Sequence, residues 1–502
     1  MDNTKYILNP DYIIRDDYNR FCLYNKGVMQ NNAVPIYTFL HPLQARFFSF
    51  FTKEPQKLDD IISLISEDFD YTKDEVLKMV IPFIENEEIK ILKLNDNNIY
   101  IPRNFLIQLE KVKGKYQPLH LKVPKESIYK AVDLKIRRLN VAPSSVTFML
   151  TNQCCTHCCY CYADTTTTVS QHVPLGRLIE IVKEARKLNL SNINLIGGEV
   201  FLYKNWFHVL RSLVENDFMP DILSTKVPIT ENIATKIIDS GFTNLLQLSI
   251  DSLEPEKLSK TLNVNSHYAR LLKKGIEILE EKHIPYQVGT VLTKWTASEE
   301  NLKEIFTFFS TKHYIRNWEI RPAMYSIKKS ESNFTDLKVS KNRFEELYSF
   351  IEQNLQPDSP FKITISKDVI NKDYRKSEKG CESFAGAKCS ALNNHFFILP
   401  DGKVTICEQL YWNPNFIIGD INHSSIEEIW QSPKAMSLVN MKRQEINKNS
   451  ACRTCAFYDM CFRVDRNRCW SDIIKTYGEN NWDYPDPRCS KAPVMLHDIS
   501  YD

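Results

Sequence analysis

Five cysteines lie in one short stretch of the chain, residues 151–164, which reads TNQCCTHCCYCYAD. Three of these thiols follow a C-x3-C-x2-C spacing, at Cys154, Cys158 and Cys161, and Tyr160 directly precedes the last one. A cubane iron–sulfur cluster is normally held by four cysteine thiolates, so three thiols leave one iron open to a non-protein ligand. The spacing therefore predicts a cluster at which chemistry takes place.

The alternative for this stretch is a zinc site or a disulfide. Zinc loops usually present C-x2-C pairs with a second pair far along the chain, and Cys158 with Cys161 could form one half of such a site. Cys155 and Cys159 do not fit the three-thiol spacing, and we interpret them as passive loop residues. The choice between a cluster and zinc depends on a second motif further along the chain.

That second motif is a glycine pair followed by a carboxylate, Gly197, Gly198 and Glu199, at the end of a predicted strand over 192–196. The pair stands out because the whole chain has 13 glycines. Glycine allows the backbone to approach a ligand closely, since it carries no Cβ. A carboxylate beside the pair could bind an ammonium group. The motif therefore predicts a ligand contact close to the cysteine stretch.

Together the two motifs resemble the signature of the radical S-adenosylmethionine (SAM) enzymes. In that family SAM chelates the open iron of a [4Fe–4S] cluster through its amino and carboxylate groups. The resemblance implies that Cys154, Cys158 and Cys161 hold this cluster and that Tyr160 lies near the adenine. It also implies that the loop 197–199 holds the amino group of SAM.

From residue 145 the pattern alternates strands and helices, which indicates a parallel β/α architecture. The six predicted strands are 146–150, 192–196, 221–224, 245–250, 286–293 and 318–321. Sites in parallel barrels lie at the C-terminal ends of the strands. This rule nominates five polar strand-end residues, Ser224, Ser249, Asp251, Thr290 and Arg321. The family resemblance implies that Ser249 and Arg321 contact the ribose and the carboxylate of SAM.

A second cysteine group follows residue 380 and includes a predicted hairpin with the sequence FILPDGKVTIC. Its members are Cys381, Cys389, Cys407, Cys452, Cys455, Cys461, Cys469 and Cys489. Their order resembles the SPASM domain, the auxiliary-cluster module of radical SAM enzymes that modify peptides. One departure is the interval between Cys461 and Cys469, which is longer here than is usual in the family.

The SPASM resemblance implies two auxiliary [4Fe–4S] clusters, which would make three clusters in the chain. The first would be held by Cys381, Cys389, Cys407 and Cys469. The second would be held by Cys452, Cys455, Cys461 and Cys489. Eight thiols suffice for two fully ligated cubanes, so we do not expect substrate to bind an auxiliary iron. A pair of structural zinc ribbons is the alternative.

Residues 1–105 contain no metal-ligand spacing and read as strands, three helices and a final hairpin, a winged-helix pattern. The third predicted helix is too acidic for a reader of the major groove of DNA. Ahead of a radical SAM core, the segment resembles the PqqD-like recognition element of peptide-modifying enzymes, in which a leader peptide adds a strand to a sheet edge. Residues 106–144 are predicted to be a linker.

The composition of the 502-residue chain is that of an ordinary globular protein, with 43% apolar and 25% charged residues. Its net charge of +2 gives no electrostatic argument for nucleic acid or an acidic membrane as the partner. The first residues lack the pattern of a signal peptide, and no apolar run is long enough to span a bilayer. We therefore expect a cytoplasmic protein whose 14 cysteines serve metal or redox chemistry.

The sequence thus predicts an α/β enzyme with a partial (β/α)6 TIM-type barrel over 145–355, a winged-helix-like domain before it and a Cys-rich SPASM domain over 356–502. The predicted activity is reductive cleavage of SAM and modification of a ribosomally made precursor peptide that carries a leader. The product would be a thioether or carbon–carbon crosslink, with flavodoxin or ferredoxin as the low-potential electron donor. The alternatives are a peptide epimerase, an anaerobic sulfatase-maturing enzyme and a zinc-dependent nucleic-acid-binding protein.

Overall fold

A computed structural model describes residues 3–26, 37–112, 116–329, 331–367, 370, 389–464 and 468–501. The chain forms two compact units. The first comprises Met1–Ser144 with Lys187–Asn192, and the second comprises Ser145–Arg186 with Ile193–Asp502.

The first unit contains three small antiparallel sheets around one apolar core. Its strands are β1 Lys5–Leu8, β2 Tyr12–Asp16, β3 Phe21–Asn25, β4 Tyr37–Leu40, β5 Gln56–Lys57, β6 Lys90–Leu94, β7 Asn97–Ile101 and β8 Leu106–Gln108. Its helices are α1 Pro42–Ser49, α2 Leu58–Phe69 and α3 Lys73–Val80. The strand orders are β5-β1-β8, β2-β3-β4 and β6-β7. The unit contains the three helices and the final hairpin that the sequence predicts for residues 1–105.

Local sequence signals explain the helix and turn boundaries in this unit. Helix α3 begins at a capping box in which Thr72 and Glu75 satisfy each other's backbone N–H groups. It ends where Pro82 enters a short 3₁₀ turn. The β6–β7 hairpin turns through Asn95, whose φ of 52° is a left-handed conformation that asparagine tolerates.

Within the first unit, a buried ion pair between β2 and β3 binds the segment that follows residue 130. Arg20 donates from Nε to Asp17 at 2.9 Å, and both side chains are almost fully buried. The same guanidinium donates to the carbonyls of Asp133 at 2.9 Å and Arg138 at 2.6 Å. Asp17 in turn accepts from the backbone N–H of Asn140 at 2.6 Å. The linker boundaries at 106–144 stay a prediction.

The second unit carries ten strands and eleven helices among its described residues. The strands are β9 Ser145–Met149, β10 Asn192–Ile196, β11 Ile222–Thr225, β12 Leu245–Ser249, β13 Tyr286–Leu292, β14 Ile315–Pro322, β15 Lys362–Ile365, β16 His395–Ile398, β17 Lys403–Thr405 and β18 Ile417–Asp420. The helices are α4 Leu175–Lys187, α5 Trp206–Glu215, α6 Glu231–Asp239, α7 Pro255–Leu262, α8 His267–Glu281, α9 Glu299–Ser310, α10 Glu331–Leu337, α11 Lys341–Asn354, α12 Ile426–Trp430, α13 Pro433–Val439 and α14 Trp470–Tyr477.

These strands form the predicted partial barrel in two sheets. Strands β11, β12, β13, β14 and β15 are parallel neighbours in chain order. The other sheet has the order β10-β9-β16-β17-β18. Strand β16 runs parallel to β9, and its hairpin with β17 is the one predicted from the FILPDGKVTIC segment. The cysteine-rich region therefore extends the sheet from which the cysteine stretch emerges.

A chain of hydrogen-bonded polar side chains, which we call the polar belt, crosses the β11–β15 sheet. Each strand of this sheet contributes one residue to it. Gln247 donates to Ser224 Oγ at 3.0 Å, and Gln287 donates to Gln247 Oε1 at 2.7 Å. Asn317 donates to Gln287 Oε1 at 3.3 Å, and Thr364 donates to Asn317 Oδ1 at 2.9 Å. Because buried polar groups are costly when unpaired, this continuous chain fixes the register of the five strands.

Among the described residues, helices with the length and apolar character needed to cross a bilayer are absent.

Candidate active site: a cysteine loop beside a strand-end cavity

A cavity of about 210 Å³ lies at the C-terminal ends of the barrel strands, and we call it the strand-end cavity. Its wall includes all the residues that the family resemblance assigns to SAM and its cluster. These residues are Cys154, Cys158, Tyr160, Cys161, Gly197, Gly198, Glu199, Ser249 and Arg321. The structure thus brings the cysteine stretch, the glycine motif and two strand ends to one place. The roles of these residues stay predictions.

The cysteine loop presents its thiols on different sides. Cys154, Cys158 and Cys161 are part of the cavity wall. Cys159 belongs to a backbone segment that is bonded to helix α7 instead, because its N–H donates to the carbonyl of Thr261 at 2.9 Å. Cys155 is exposed, and its hydrogen bond to Cys154 lowers the pKa of the Cys154 thiol. The passive role expected for Cys155 stays a prediction.

The glycine pair allows two backbone loops to touch. A Cβ on Gly198 would lie 2.3 Å from the carbonyl oxygen of Gln153 and 2.6 Å from that of Asn152. One on Gly197 would lie 2.8 Å from the carbonyl oxygen of Thr151. Gly198 N–H also donates to this Thr151 carbonyl at 2.7 Å. The structure thus shows that the glycine pair packs closely against the cysteine loop, and the predicted close approach to a ligand stays a prediction.

Glu199 connects the glycine motif to the next strand. Its carboxylate is 2% exposed and accepts hydrogen bonds from Lys226 N–H at 2.8 Å, Thr225 Oγ1 at 2.9 Å and Phe201 N–H at 3.2 Å. Burial raises the pKa of Glu199, and these hydrogen bonds oppose the increase. The carboxylate is thus fixed by the chain itself at the edge of the cavity.

A hydrogen-bonded series, Lys226–Tyr160–Asp251, crosses the base of the cysteine loop. Lys226 Nζ donates to the Tyr160 hydroxyl at 3.1 Å, and that hydroxyl donates to Asp251. The other carboxylate oxygen of Asp251 accepts from Val291 N–H at 2.9 Å. Burial, followed by the charge of Asp251, raises the pKa of Tyr160 well above its usual value, so the phenol stays protonated.

Lys226 is a cation in the cavity wall that our sequence analysis missed. Burial alone would lower its pKa, but the nearby thiolates of Cys158, Cys154 and Cys161 and the carboxylate of Asp251 reverse the direction and raise it. The ammonium group therefore faces the same three thiols that the motif singles out. The only sequence signal is its place just after strand β11, which many non-functional lysines share.

The remaining strand-end nominees divide into cavity and packing residues. Ser224 reaches the cavity wall from the end of the polar belt. Thr290 is fully buried, donates to the carbonyl of Ile250 at 2.6 Å and accepts from Trp318 Nε1 at 2.9 Å. These bonds assign Thr290 to packing between strands.

One carboxylate near the cavity, Glu408, comes from the Cys-rich region and was not predicted from the sequence. Tyr162 is in the cavity wall, and the charge of Glu408, followed by burial, raises its pKa. Burial raises the pKa of Glu408, while the Arg321 charge and a hydrogen bond with Tyr162 oppose that increase. Glu408 directly follows Cys407, so this group joins the barrel to the predicted auxiliary-cluster region.

Three late cysteines form a first set, Cys389, Cys407 and Cys469. Burial, followed by the neighbouring Cys389 thiolate, raises the pKa of Cys407 to about 12. Burial raises the pKa of Cys469, and the charges of Asp472 and of the Cys389 thiolate add to this increase. Cys381, the predicted fourth member, lies outside the described residues.

The other four late cysteines form a second set, Cys452, Cys455, Cys461 and Cys489. Burial raises the pKa of Cys461 to about 12, and the three other thiolates of the set add to this increase. Cys452 and Cys455 likewise raise the pKa of Cys489, after burial. These electrostatic neighbours agree with the two groups that the SPASM resemblance implies, and the ligand sets themselves stay predictions.

The second set fits a cluster because hydrogen-bond donors beside it lack partners. Arg468 is 5% exposed, and its Nε and Nη1 have no acceptor among the residues that the structure describes. Within these same residues, no three His, Cys, Asp or Glu side chains are arranged to hold a single metal ion. The arrangement needed for a cubane is different from that for a single ion, because each thiolate of a cubane binds its own iron.

Two family matches cover the regions just described. Residues 148–308 match the radical SAM superfamily, and residues 389–456 match the SPASM iron-sulfur cluster-binding domain. Both domains are therefore present in this chain.

Two characterised relatives share distant sequence similarity. The chain is 23% identical over 350 residues to the AdoMet-dependent heme synthase of Methanosarcina barkeri, a match that covers 64% of this chain and 90% of the relative. It is 24% identical over 229 residues to the GTP 3′,8-cyclase of Synechocystis sp., covering 43% of this chain and 63% of the cyclase.

The fold is similar to that of Streptococcus suis SuiB. One SuiB structure has a TM-score of 0.60 at 14% identity and covers 96% of this chain and 99% of SuiB. A second, with the precursor peptide SuiA bound, has a TM-score of 0.57 at 13% identity and covers 98% of this chain and 100% of SuiB. At these identities the likeness concerns the fold alone.

Proposed function

We propose that this chain, an enzyme of the radical SAM superfamily with a SPASM domain, modifies a ribosomally synthesised precursor peptide. One observation carries the proposal. The likeness to peptide-bound SuiB extends over 98% of this chain and so includes the N-terminal unit as well as the two catalytic regions. The expected modification is a thioether or carbon–carbon crosslink.

In this proposal Cys154, Cys158 and Cys161 hold a [4Fe–4S] cluster whose open iron binds SAM. When bound, these two groups would supply a 5′-deoxyadenosyl radical that removes a hydrogen atom from the peptide. Two auxiliary [4Fe–4S] clusters would occupy the first and second cysteine sets, with Cys381 completing the first. Flavodoxin or ferredoxin is the proposed external electron carrier.

The side chains around the strand-end cavity would orient SAM and exclude water. Tyr160 is held in place by Lys226 and Asp251, so its ring can form a fixed side of the adenine site. Glu199 would accept the amino group of SAM from its fixed position at the cavity edge. Ser249 and Arg321, which also line the cavity, would contact the ribose and the carboxylate.

The N-terminal unit would recognise the leader of the precursor as a PqqD-like element, over residues 1–105. One of its two three-stranded sheets, β2-β3-β4, has two edges. An extended peptide can add a strand to such an edge. Main-chain hydrogen bonds would supply affinity, and the side-chain pockets beside them would supply specificity. Residues 106–144 would connect this element to a core over 145–355 and a SPASM domain over 356–502.

The proposal is tested with the full-length enzyme, purified without oxygen and supplied with SAM and a reductant. Each short peptide encoded beside its gene is added in turn, with and without its N-terminal leader. We expect 5′-deoxyadenosine to form fastest with one leader-bearing peptide, and that peptide to lose two hydrogen atoms by mass. SAM cleavage that ignores every peptide would contradict the proposal. An unchanged mass in ordinary water, together with deuterium incorporation at a Cα in heavy water, would indicate the epimerase instead.

A further inference from the structure

Arg468 is a buried cation with unused hydrogen-bond donors. It directly precedes Cys469, and its side chain is 5% exposed. One guanidinium nitrogen, Nη2, donates to the carbonyl of Tyr484 at 2.6 Å. Nε and Nη1 have no acceptor within the described part of the chain. A charged donor left unpaired in the interior is costly, so these two N–H groups indicate a partner that is not a described protein atom.

The surroundings of Arg468 show where that partner would lie. The guanidinium carbon lies 5.1 Å from the centre of the Phe462 ring, directly after Cys461. Its positive charge opposes the effect of burial on the pKa of both Cys452 and Cys461. It also borders a small cavity of about 10 Å³, which is lined by Cys389 of the first set as well as by Phe462. The Phe462 contact and the effect of the Arg468 charge on Cys452 and Cys461 favour the second cysteine set as the neighbour of the free donors.

A cubane cluster would supply the missing acceptors. Its thiolate and sulfide sulfurs accept hydrogen bonds, and its reduced form carries one more negative charge than its oxidised form. Donors and a fixed positive charge stabilise the reduced form more, which raises the reduction potential. Arginine is suited to this task because it presents several donors in one plane and stays charged when buried.

We propose that Arg468 is a positioning residue for the cluster at Cys452, Cys455, Cys461 and Cys489, and that it raises the reduction potential of that cluster. This inference rests on the proposed cluster assignment. Nε–H and Nη1–H donate to cluster sulfurs, while Nη2–H binds the guanidinium to the Tyr484 carbonyl.

The test compares the full-length enzyme with Arg468→Met and Arg468→Lys, all purified without oxygen. Iron and sulfide are counted, and each cluster is titrated by electron paramagnetic resonance. A Cys452→Ala, Cys455→Ala variant identifies the signal of the second set. In Arg468→Met we expect the equilibrium constant for reduction of that cluster to fall at least about tenfold, equivalent to about 59 mV for one electron. The other signals stay in place.

Arg443→Met is the matched control, since it removes a cation that is paired with Asp459 at 2.9 Å on the surface. It should leave all potentials unchanged. A wild-type potential in Arg468→Met with full iron content would overturn the inference. The guanidinium would then stabilise the protein and have no effect on the cluster. Arg468→Lys keeps a positive charge and should retain most of the wild-type potential. If Arg468→Met loses the cluster, the neutral variant Arg468→Gln decides, and a wild-type potential there overturns the inference equally. A wild-type enzyme with no cluster at the second set would refute the cluster assignment itself.

Discussion

Thr156 sits between two of the thiols that the spacing motif selects. Its hydroxyl lies 3.5 Å from Cys154 Sγ and 3.3 Å from Cys158 Sγ, and the side chain is buried. It can therefore donate to only one sulfur at a time while it orients both. The polar groups next to the three thiols thus form a layer made of Thr156, Cys155 and Lys226. Such groups orient metal ligands and tune the metal they bind.

Lys226 is the member of that layer whose removal has the clearest consequence. In Lys226→Gln we expect SAM cleavage to fall about tenfold, the usual cost of losing a supporting group. The reduction potential of the SAM-binding cluster should fall as well, because a positive charge beside three thiolates is lost. The measurements are 5′-deoxyadenosine formation and a redox titration. Lys260→Gln, at an exposed position of helix α7, is the control and should change neither. An unchanged reduction potential of the SAM-binding cluster in Lys226→Gln would show that Lys226 does not tune that cluster.

At the scale of elements, the contact between the glycine loop and the cysteine loop has no room for a side chain. Gly198→Ala would place a Cβ against two backbone carbonyls, and backbone cannot move aside as a flexible side chain can. We expect a loss of about 3 kcal/mol in the free energy of unfolding, or displacement of the cysteine loop, with loss of iron from the SAM-binding cluster. Thermal unfolding and iron content measure both effects.

The control for this substitution is Gly176→Ala in helix α4, where an added Cβ would meet nothing within 4 Å. Alanine is the better helix former by about 1 kcal/mol, so this variant should be as stable as the wild type or slightly more so. If both alanine variants behaved alike, the tight loop contact would not be important.

The pairing of β16 with β9 depends on a mostly buried histidine. His395 lies 2.8 Å from Ser145 Oγ through Nδ1 and 3.1 Å from Thr147 Oγ1 through Nε2. Burial lowers the pKa of His395 to about 4, from an unfolded value of about 6.5. The unfolded chain therefore binds a proton at a higher pH than the folded chain does. Stability from this residue is complete above about pH 6.5 and is lost as the pH falls toward 4.

We therefore expect the melting temperature of the wild type to fall between pH 7 and pH 5 more steeply than that of His395→Gln. The difference should approach 1.4 kcal/mol per pH unit at most, the limit for one proton. Thermal unfolding at several pH values tests this. His423→Gln, at an exposed position, serves as the control and should keep the wild-type slope. Equal slopes in all three proteins would show that His395 is protonated freely in the folded state.

At the scale of the whole molecule, what could be predicted from sequence is what is encoded locally. The six barrel strands, the three N-terminal helices and the strand-end cavity follow from periodicity, caps and two short motifs. The β16–β9 pairing joins Ser145 to a residue 250 positions away, and no local pattern specifies it. Lys226 and Arg468 were missed for a related reason. Their importance comes from what surrounds them in space, and each has an ordinary sequence context.

The number of clusters is a property of the whole chain, and it decides between the cluster and zinc readings of all the cysteines at once. Protein purified without oxygen should contain about twelve irons per chain if three cubanes are present. Replacing Cys154, Cys158 and Cys161 together by alanine should leave about eight, because one cubane is lost and the two cysteine sets near the C-terminus are unaffected.

Cys159→Ala gives the matched control for that count, since this thiol belongs to the same loop but is not part of the cavity wall. It should retain the full iron content, and a loss of four irons there would mean that the loop binds its cluster with a different set of thiols. Zinc is measured in the same samples. About one zinc for each late cysteine set, with about four irons in total, would refute the auxiliary clusters while leaving the SAM-binding one. Because Arg468 has unpaired donors beside the second set, we expect iron and sulfide at that position rather than zinc.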